Sequence, residues 1–200
     1  MLKPELLQHP NIPKPLHGLA PRVIKGQAWW DQTRKSVYHR QDYKCLACGT
    51  PKSEAWPNRW LECHEHYRID YSARTMEITE MVALCPACHK FIHSGLLQVM
   101  MARGEMTTAC TMRILSHGFK ILNDNRLAPS FATYHLIAAG YLPTVPEFRG
   151  ADYLGMHKFK PGDDWDAGSF GWDGWRLLFD GEEYPSLWKT QADWAAHYGR

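Results

Sequence analysis

No stretch of the chain approaches the roughly 18 uncharged apolar residues that a membrane-spanning helix needs, so no membrane partner is expected. The opening run Met1-Leu-Lys-Pro-Glu has no apolar core of the kind that directs export, and a cytoplasmic location is the corresponding expectation. Excess charge of one sign is also missing. The net charge is only +2 and the pI about 8.2, too mild for a protein whose task is to coat nucleic acid. Internal repeats of 20–50 residues are absent too, which excludes a solenoid or propeller. Cysteine is scarce, with six in 200 residues. Four of them stand in Cys-x-x-Cys pairs beside histidines and without an export signal, a setting that favours reduced, metal-binding thiolates over a disulfide framework.

Those pairs are Cys45-Leu-Ala-Cys48 and Cys85-Pro-Ala-Cys88. Each offers two sulfurs from one tight turn, so the four together suit a single tetrahedral ion, a structural zinc site. Cys63 and Cys110 are left over. Between the knuckles runs Leu61-Glu-Cys-His-Glu-His-Tyr67, and the second knuckle continues into His89 and His93. Four cysteines already fill a tetrahedral shell, which leaves His64, His66, His89 and His93 for a second metal site. Side chains alternate along a strand, so His64 and His66 share one face and Glu65 takes the other. On a helix His89 and His93, four apart, share a face. A pair from the strand and a pair from the helix can therefore converge.

The fold class expected is α+β, in four stretches. Residues 1–26 hold Pro4, Pro10, Pro13, Pro15 and Pro21 with Lys3, Lys14, Arg22 and Lys25 among them, which reads as an extended basic arm. Residues 27–104 read as a core: a helix over 27–40, the first knuckle, a hairpin of 59–71 and 75–84, then one helix from Pro86 to about Arg103. Residues 105–148 read as helical, with Thr107 to about Asn123 and a second helix capped by Ser130. Residues 149–200 read as an acidic, Trp-rich extension, in which Trp172, Trp175, Trp188 and Trp194 have spacings suited to a small core of their own. Charge is polarised along the chain: residues 1–50 carry eight Lys/Arg against three Asp/Glu, and residues 151–200 five against nine. The basic half is the expected phosphate-facing half, and Lys35, Arg40, Lys44, Arg59, Arg68, Arg74 and Lys90 surround the histidines in sequence.

From Cys45 to His93 the chain resembles the zinc-stapled branch of the HNH endonucleases, of phage and bacterial type. The closing phrase Leu84-Cys-Pro-Ala-Cys-His-Lys-Phe-Ile-His93 carries most of that resemblance, with Trp29-Trp30 and Phe91-Ile-His-Ser-Gly95 adding to it. It implies a ββα-metal core with a four-cysteine zinc staple, flanked by helices and a small mixed C-terminal extension. It also implies a metal-dependent DNA endonuclease that hydrolyses phosphodiesters through an activated water, nicks one strand per active site and leaves 5′-phosphate and 3′-hydroxyl ends. Cys45, Cys48, Cys85 and Cys88 are then the zinc ligands. His64, His89 and His93 hold a catalytic Mg2+ or Mn2+, and the base comes from the Cys63-His64-Glu65-His66 run.

The family often has Asp-His or His-His at that first motif, and two registers are open here. One puts His64 on the metal and Glu65 or His66 in the base position; the other makes His64 the base, with Cys63 at the ligand position. No asparagine lies between Tyr67 and Cys88. The reading from another class is a non-catalytic zinc module that holds DNA or a protein partner. Neither reading specifies an oligomeric state.

Overall fold

The computed structural model describes residues 1–156 and 170–198. Its architecture is mixed, with more helix than strand. The N-terminal segment is where it departs first from the expectation of an extended arm. Pro4–Gln8 and Lys14–Leu16 are 3-10 turns and Pro21–Lys25 is a short helix, α1. Each starts with a proline in its first two positions, where the missing N–H costs nothing and the fixed φ suits a helical turn. Prolines that would break a helix interior therefore open short ones. The segment is held to the body by its apolar residues, since Leu6, Leu7 and Leu16 are fully buried.

Helix α2 spans Gln27–Arg40. The hairpin follows the first knuckle: β1 is Glu62–Asp70 and β2 is Thr75–Leu84, antiparallel. Its turn is tied by the Asp70 carboxylate, which accepts from the Ser72 hydroxyl at 2.6 Å and the Ala73 N–H at 2.9 Å. Pairing runs from Glu62 opposite Leu84 to His66 opposite Glu80, then resumes with Tyr67 opposite Ile78. Thr79 is the extra residue of this bulge, and a bulge locally bends and twists a strand.

The expected single helix over 86–103 is two helices, α3 at Pro86–Ile92 and α4 at Ser94–Ala102, broken at His93 with φ −85° and ψ 49°. Helix α5 is Thr108–Asp124, with Thr107 capping it, and α6 is Phe131–Ala138, capped by Ser130, whose hydroxyl accepts from the Thr133 N–H at 3.3 Å. A further short helix, α7, is Ala151–Met156. The larger core lies among α3, α5, α6 and the first N-terminal turn, around Phe91, Ile114, Leu115, Phe119 and Leu122.

The described C-terminal residues do not form a separate core. Strands β3 (Arg176–Phe179) and β4 (Glu182–Pro185) extend the sheet to the order β1-β2-β3-β4, with β3 parallel to β2. Trp175, Leu177 and Phe179 bury against Leu16, Tyr67 and Met76 in a second cluster. Helix α8, Gln191–Tyr198, closes the chain, with the Trp194 indole donating to His17 Nδ1 at 3.1 Å. The part of the expected Trp-rich extension at 157–169 and 199–200 lies outside the described residues.

Candidate metal centres

Among the described residues two groups of side chains are gathered closely enough to hold a metal ion: Cys45, Cys48, Cys85 and Cys88, and His64, His89 and His93, each group with its ligand atoms within 4.8 Å of one another. The cysteines come together because both knuckles are anchored at the open end of the hairpin. In the first knuckle the Cys45 N–H donates to the Thr50 carbonyl at 2.9 Å and the Gly49 N–H to the Cys45 carbonyl at 2.8 Å, while Gly49 takes φ 78°, which favours glycine. The Leu46 N–H donates to the Ala83 carbonyl at 2.8 Å, which ties that knuckle to the end of β2. Cys85 then caps α3, its sulfur accepting from the Cys88 N–H at 3.5 Å.

Four sulfurs this close share negative charge unequally without a cation. Hydrogen bonds from Cys45, Cys85 and Cys88 hold the Cys48 thiol far below the usual range, and contact with Cys45, Cys48 and Cys85 together with burial pushes Cys88 far above it. A dication removes that conflict, and the arrangement of four cysteines can bind one such as zinc. An S4 set also admits iron. Two further groups add hydrogen-bonding contacts: Thr50 Oγ1 lies 3.1 Å from Cys48 Sγ, and His117 Nε2, from α5, lies 3.4 Å from Cys88 Sγ.

The histidines are placed by three elements. His64 comes from β1, His89 from α3, and His93 from the break between α3 and α4, with ring centroids 5.3, 5.1 and 4.6 Å apart for the 64–89, 64–93 and 89–93 pairs. The break at His93 thus sets one corner of the trio. His89 Nδ1 is in contact with the Glu62 carboxylate, and Lys90 Nζ adds a looser contact to Glu62 at 3.7 Å. With Nδ1 engaged, Nε2 is the nitrogen His89 has left to bind an ion, a carboxylate–histidine arrangement common at metal sites. Against the upward push of burial, the bond to His89 and its charge hold Glu62 down at about 2.

His64 is 1% exposed, and its Nδ1 is buried without a hydrogen-bond partner. A buried polar atom left unpaired costs about 1–3 kcal/mol, so such an atom calls for an occupant. Burial first, then the neighbouring histidines, lowers His64 well below the ordinary imidazole value and His93 to about 3. Neutral imidazoles are the form that binds metals.

Sequence reasoning placed His66 and Glu65 beside these ligands, and neither belongs to the trio. His66 stays on the His64 side of β1: its ring centroid is 5.2 Å from that of His9, which itself lies 5.1 Å from His64. Glu65 is half-buried, and burial raises its carboxyl. Cys63 is buried in a third cluster beneath α2 with Val37, Leu61 and Ala83, and burial pushes its thiol up to about 12. That is no setting for a thiolate ligand.

Of the cations expected to face phosphate, Arg40 donates to the Met81 carbonyl at 3.0 Å, Arg68 pairs with Glu77 at 2.6 Å, and Arg74 donates to the Asp173 carbonyl at 2.8 Å. Lys35, Lys44 and Arg59 are exposed.

His9 and His117 were not legible in advance. His9 sits in a proline-rich stretch without periodicity. His117 flanks the apolar stripe of α5 at a position that surface histidines share.

Among curated proteins, Anaredoxin of Nostoc sp. (strain PCC 7120 / SAG 25.82 / UTEX 2576) is 30% identical over 69 residues, which cover 34% of this chain and 80% of the relative. Over that stretch the chain belongs to the anaredoxin family. No family model and no solved structure matches the chain. No helix among the described residues is long and apolar enough to cross a membrane.

Proposed function

We propose that the protein is a metal-dependent DNA endonuclease of the HNH type, with a ββα-metal core formed by β1, β2 and α3, a zinc staple at Cys45, Cys48, Cys85 and Cys88, and a second divalent ion at His64, His89 and His93. The single observation that carries this reading is the histidine trio, set on the hairpin and the following helix beside a separate cysteine cluster, with the buried Nδ1 of His64 left unpartnered. A structural site alone does not need a second set of ligands. The donor set changes one expectation. Three imidazoles without a carboxylate suit zinc, nickel or cobalt better than Mg2+ or Mn2+, which prefer oxygen. Substrate phosphate oxygens and water would complete the shell.

The bound ion supplies positive charge to the scissile phosphate and to the departing 3′ oxygen. The rest is done by side chains of this chain. With His64, His89 and His93 on the ion, the base comes from His66 or Glu65, and His66 is the one that shares the face of His64. The Thr79 hydroxyl donates its hydrogen to the His66 carbonyl at 3.0 Å, so its oxygen is free to accept from His66 Nδ1–H at 3.4 Å. That tautomer leaves the lone pair of His66 on Nε2, where a water proton can be received. One such site cuts one strand at a time.

The test is nicking of supercoiled plasmid with Mg2+, Mn2+, Co2+, Ni2+ or Zn2+, comparing the native chain with His64→Ala, both assayed for metal by mass spectrometry. The expected result is one tightly held zinc in each, and cleavage by the native chain alone. If DNA is bound and never cut with any ion, the non-catalytic zinc module replaces this reading. Iron in the cysteine site would replace the zinc assignment.

A further inference from the structure

The contact that stands out beyond the trio is made by His9, which comes from the N-terminal segment 55 residues before His64. Its ring is 5% exposed. Its Nδ1 lies 3.1 Å from His64 Nε2, and its Nε2 lies 3.1 Å from both the carbonyl oxygen and the amide nitrogen of Tyr67. The ring also packs on that of Tyr67, centroids 3.8 Å apart, while the Tyr67 hydroxyl donates to the Pro10 carbonyl. His9 is thus held from both sides, next to a residue that is itself tied to Tyr67.

A neutral imidazole has one N–H and one lone pair, so a chain of two imidazoles and a backbone group can be polarised in only two directions. In the first, the Tyr67 N–H donates to His9 Nε2, His9 Nδ1–H donates to His64 Nε2, and the remaining hydrogen of His64 is on Nδ1. In the second, His9 Nε2–H donates to the Tyr67 carbonyl and gives up the bond from the Tyr67 N–H, His64 Nε2–H donates to His9 Nδ1, and the lone pair of His64 is on Nδ1. Only the second lets His64 bind a cation through its unpartnered nitrogen. The other nitrogen of a metal-binding histidine is normally engaged in this way, by a carboxylate, carbonyl or water.

Resting on the metal-site reading above, we infer that His9 is a positioning residue: it accepts the Nε2–H of His64, passes the polarity to the Tyr67 carbonyl, and so keeps His64 Nδ1 ready for the ion. The N-terminal segment then belongs to the metal centre. Glu62 performs the same service for His89 from within the hairpin, but His64 is served by a residue outside the ββα unit. A chain lacking the segment would keep all three ligands and lose the group that orients one of them.

The test uses the full chain with its cysteine site loaded, and reads second-ion binding and imidazole tautomers, neither of which depends on DNA cleavage. Calorimetric titration with Ni2+ compares the native chain with His9→Phe and His9→Gln. His9→Phe fills the space without a hydrogen bond, and Ni2+ affinity is expected to fall about 10- to 100-fold, the usual cost of losing such a partner, with the cysteine-bound metal unchanged. His9→Gln keeps one donor and one acceptor, and is expected to recover most of the loss.

Nitrogen-15 NMR of the Ni2+-free native chain is expected to show His9 and His64 both carrying hydrogen on Nε2. That measurement needs no variant, so it still decides if His9→Phe does not fold. Unchanged Ni2+ affinity in His9→Phe overturns the inference, as does hydrogen on Nδ1 of His9 in the native chain, or a native chain that binds no second ion. Ni2+ binding that depends on His9 in a protein that never cuts DNA leaves the inference standing and removes the nuclease reading alone.

Discussion

Gly118 is where α5 passes α3, and replacing it with alanine should cost stability that can be worked out from the packing. A Cβ added there would sit 2.5 Å from Cε2 of Phe91 and closer still to Cδ2 and Cγ. Carbon atoms in contact prefer about 3.5–4.0 Å, so the ring must retreat by more than about 1 Å. It has nowhere to go: Phe91 is fully buried and meets the equally buried Phe119 edge-on, centroids 5.1 Å apart.

Overpacking of this kind costs about 1–3 kcal/mol, and a rigid aromatic neighbour puts Gly118→Ala at the top of that range. The better helix propensity of alanine returns about 1 kcal/mol. A net loss of about 2 kcal/mol is expected, which in a chain of this size lowers Tm by about 4–8 °C. The assay is urea and thermal unfolding of the metal-loaded protein, with Phe91→Leu added in a double-mutant cycle. The smaller side chain makes room for the new methyl, so the two changes together should cost less than their sum. Phe91 shares α3 with Cys88 and His89, so second-ion affinity should weaken along with stability. A Gly118→Ala protein as stable as the native chain, or strictly additive costs, would refute the claim that this contact sets the spacing of α3 and α5.

Two further outcomes concern protons and hydrogen bonds at the centres. His9 and His93 are lowered to about 4 and about 3, chiefly by burial, and His64 lies well below its ordinary value, so the unfolded chain binds more protons than the folded one below about pH 6.5. This part of the stability is fully present above that pH and is lost as the pH falls toward the folded values. Each such histidine steepens the fall by up to about 1.4 kcal/mol per pH unit, so His93→Gln should have a visibly shallower slope than the native chain in urea unfolding between pH 6.5 and 5 without added second ion. Equal slopes would mean that His93 titrates freely. His117→Phe removes the ring nitrogen facing Cys88, and chelator competition should show the cysteine-bound metal held about 10-fold more weakly with Ni2+ binding at the histidines unchanged.

What could be read from the chain alone was whatever is decided over short distances. Cys-x-x-Cys places two sulfurs on one turn whatever the rest of the protein does, and the hairpin over 62–84, the helix over 27–40 and the Ser130 cap follow from local pattern and turn chemistry. The facing of His64 and His66 followed from strand alternation. Prolines misled because their effect depends on position within a turn, and three of the five in the first 25 residues, Pro4, Pro15 and Pro21, open short helical turns.

Tertiary structure alone decided the rest. It paired β3 with β2 across about a hundred residues, burying Trp175 in the main sheet instead of a separate core. It broke the helix at His93, and it brought His9 to His64 and His117 to Cys88. These contacts leave no periodic trace, because each joins elements whose own patterns are satisfied without it. The cysteines and histidines were legible in the sequence as candidate ligands; which nitrogen of each histidine is left for a metal depends on neighbours that only folding supplies.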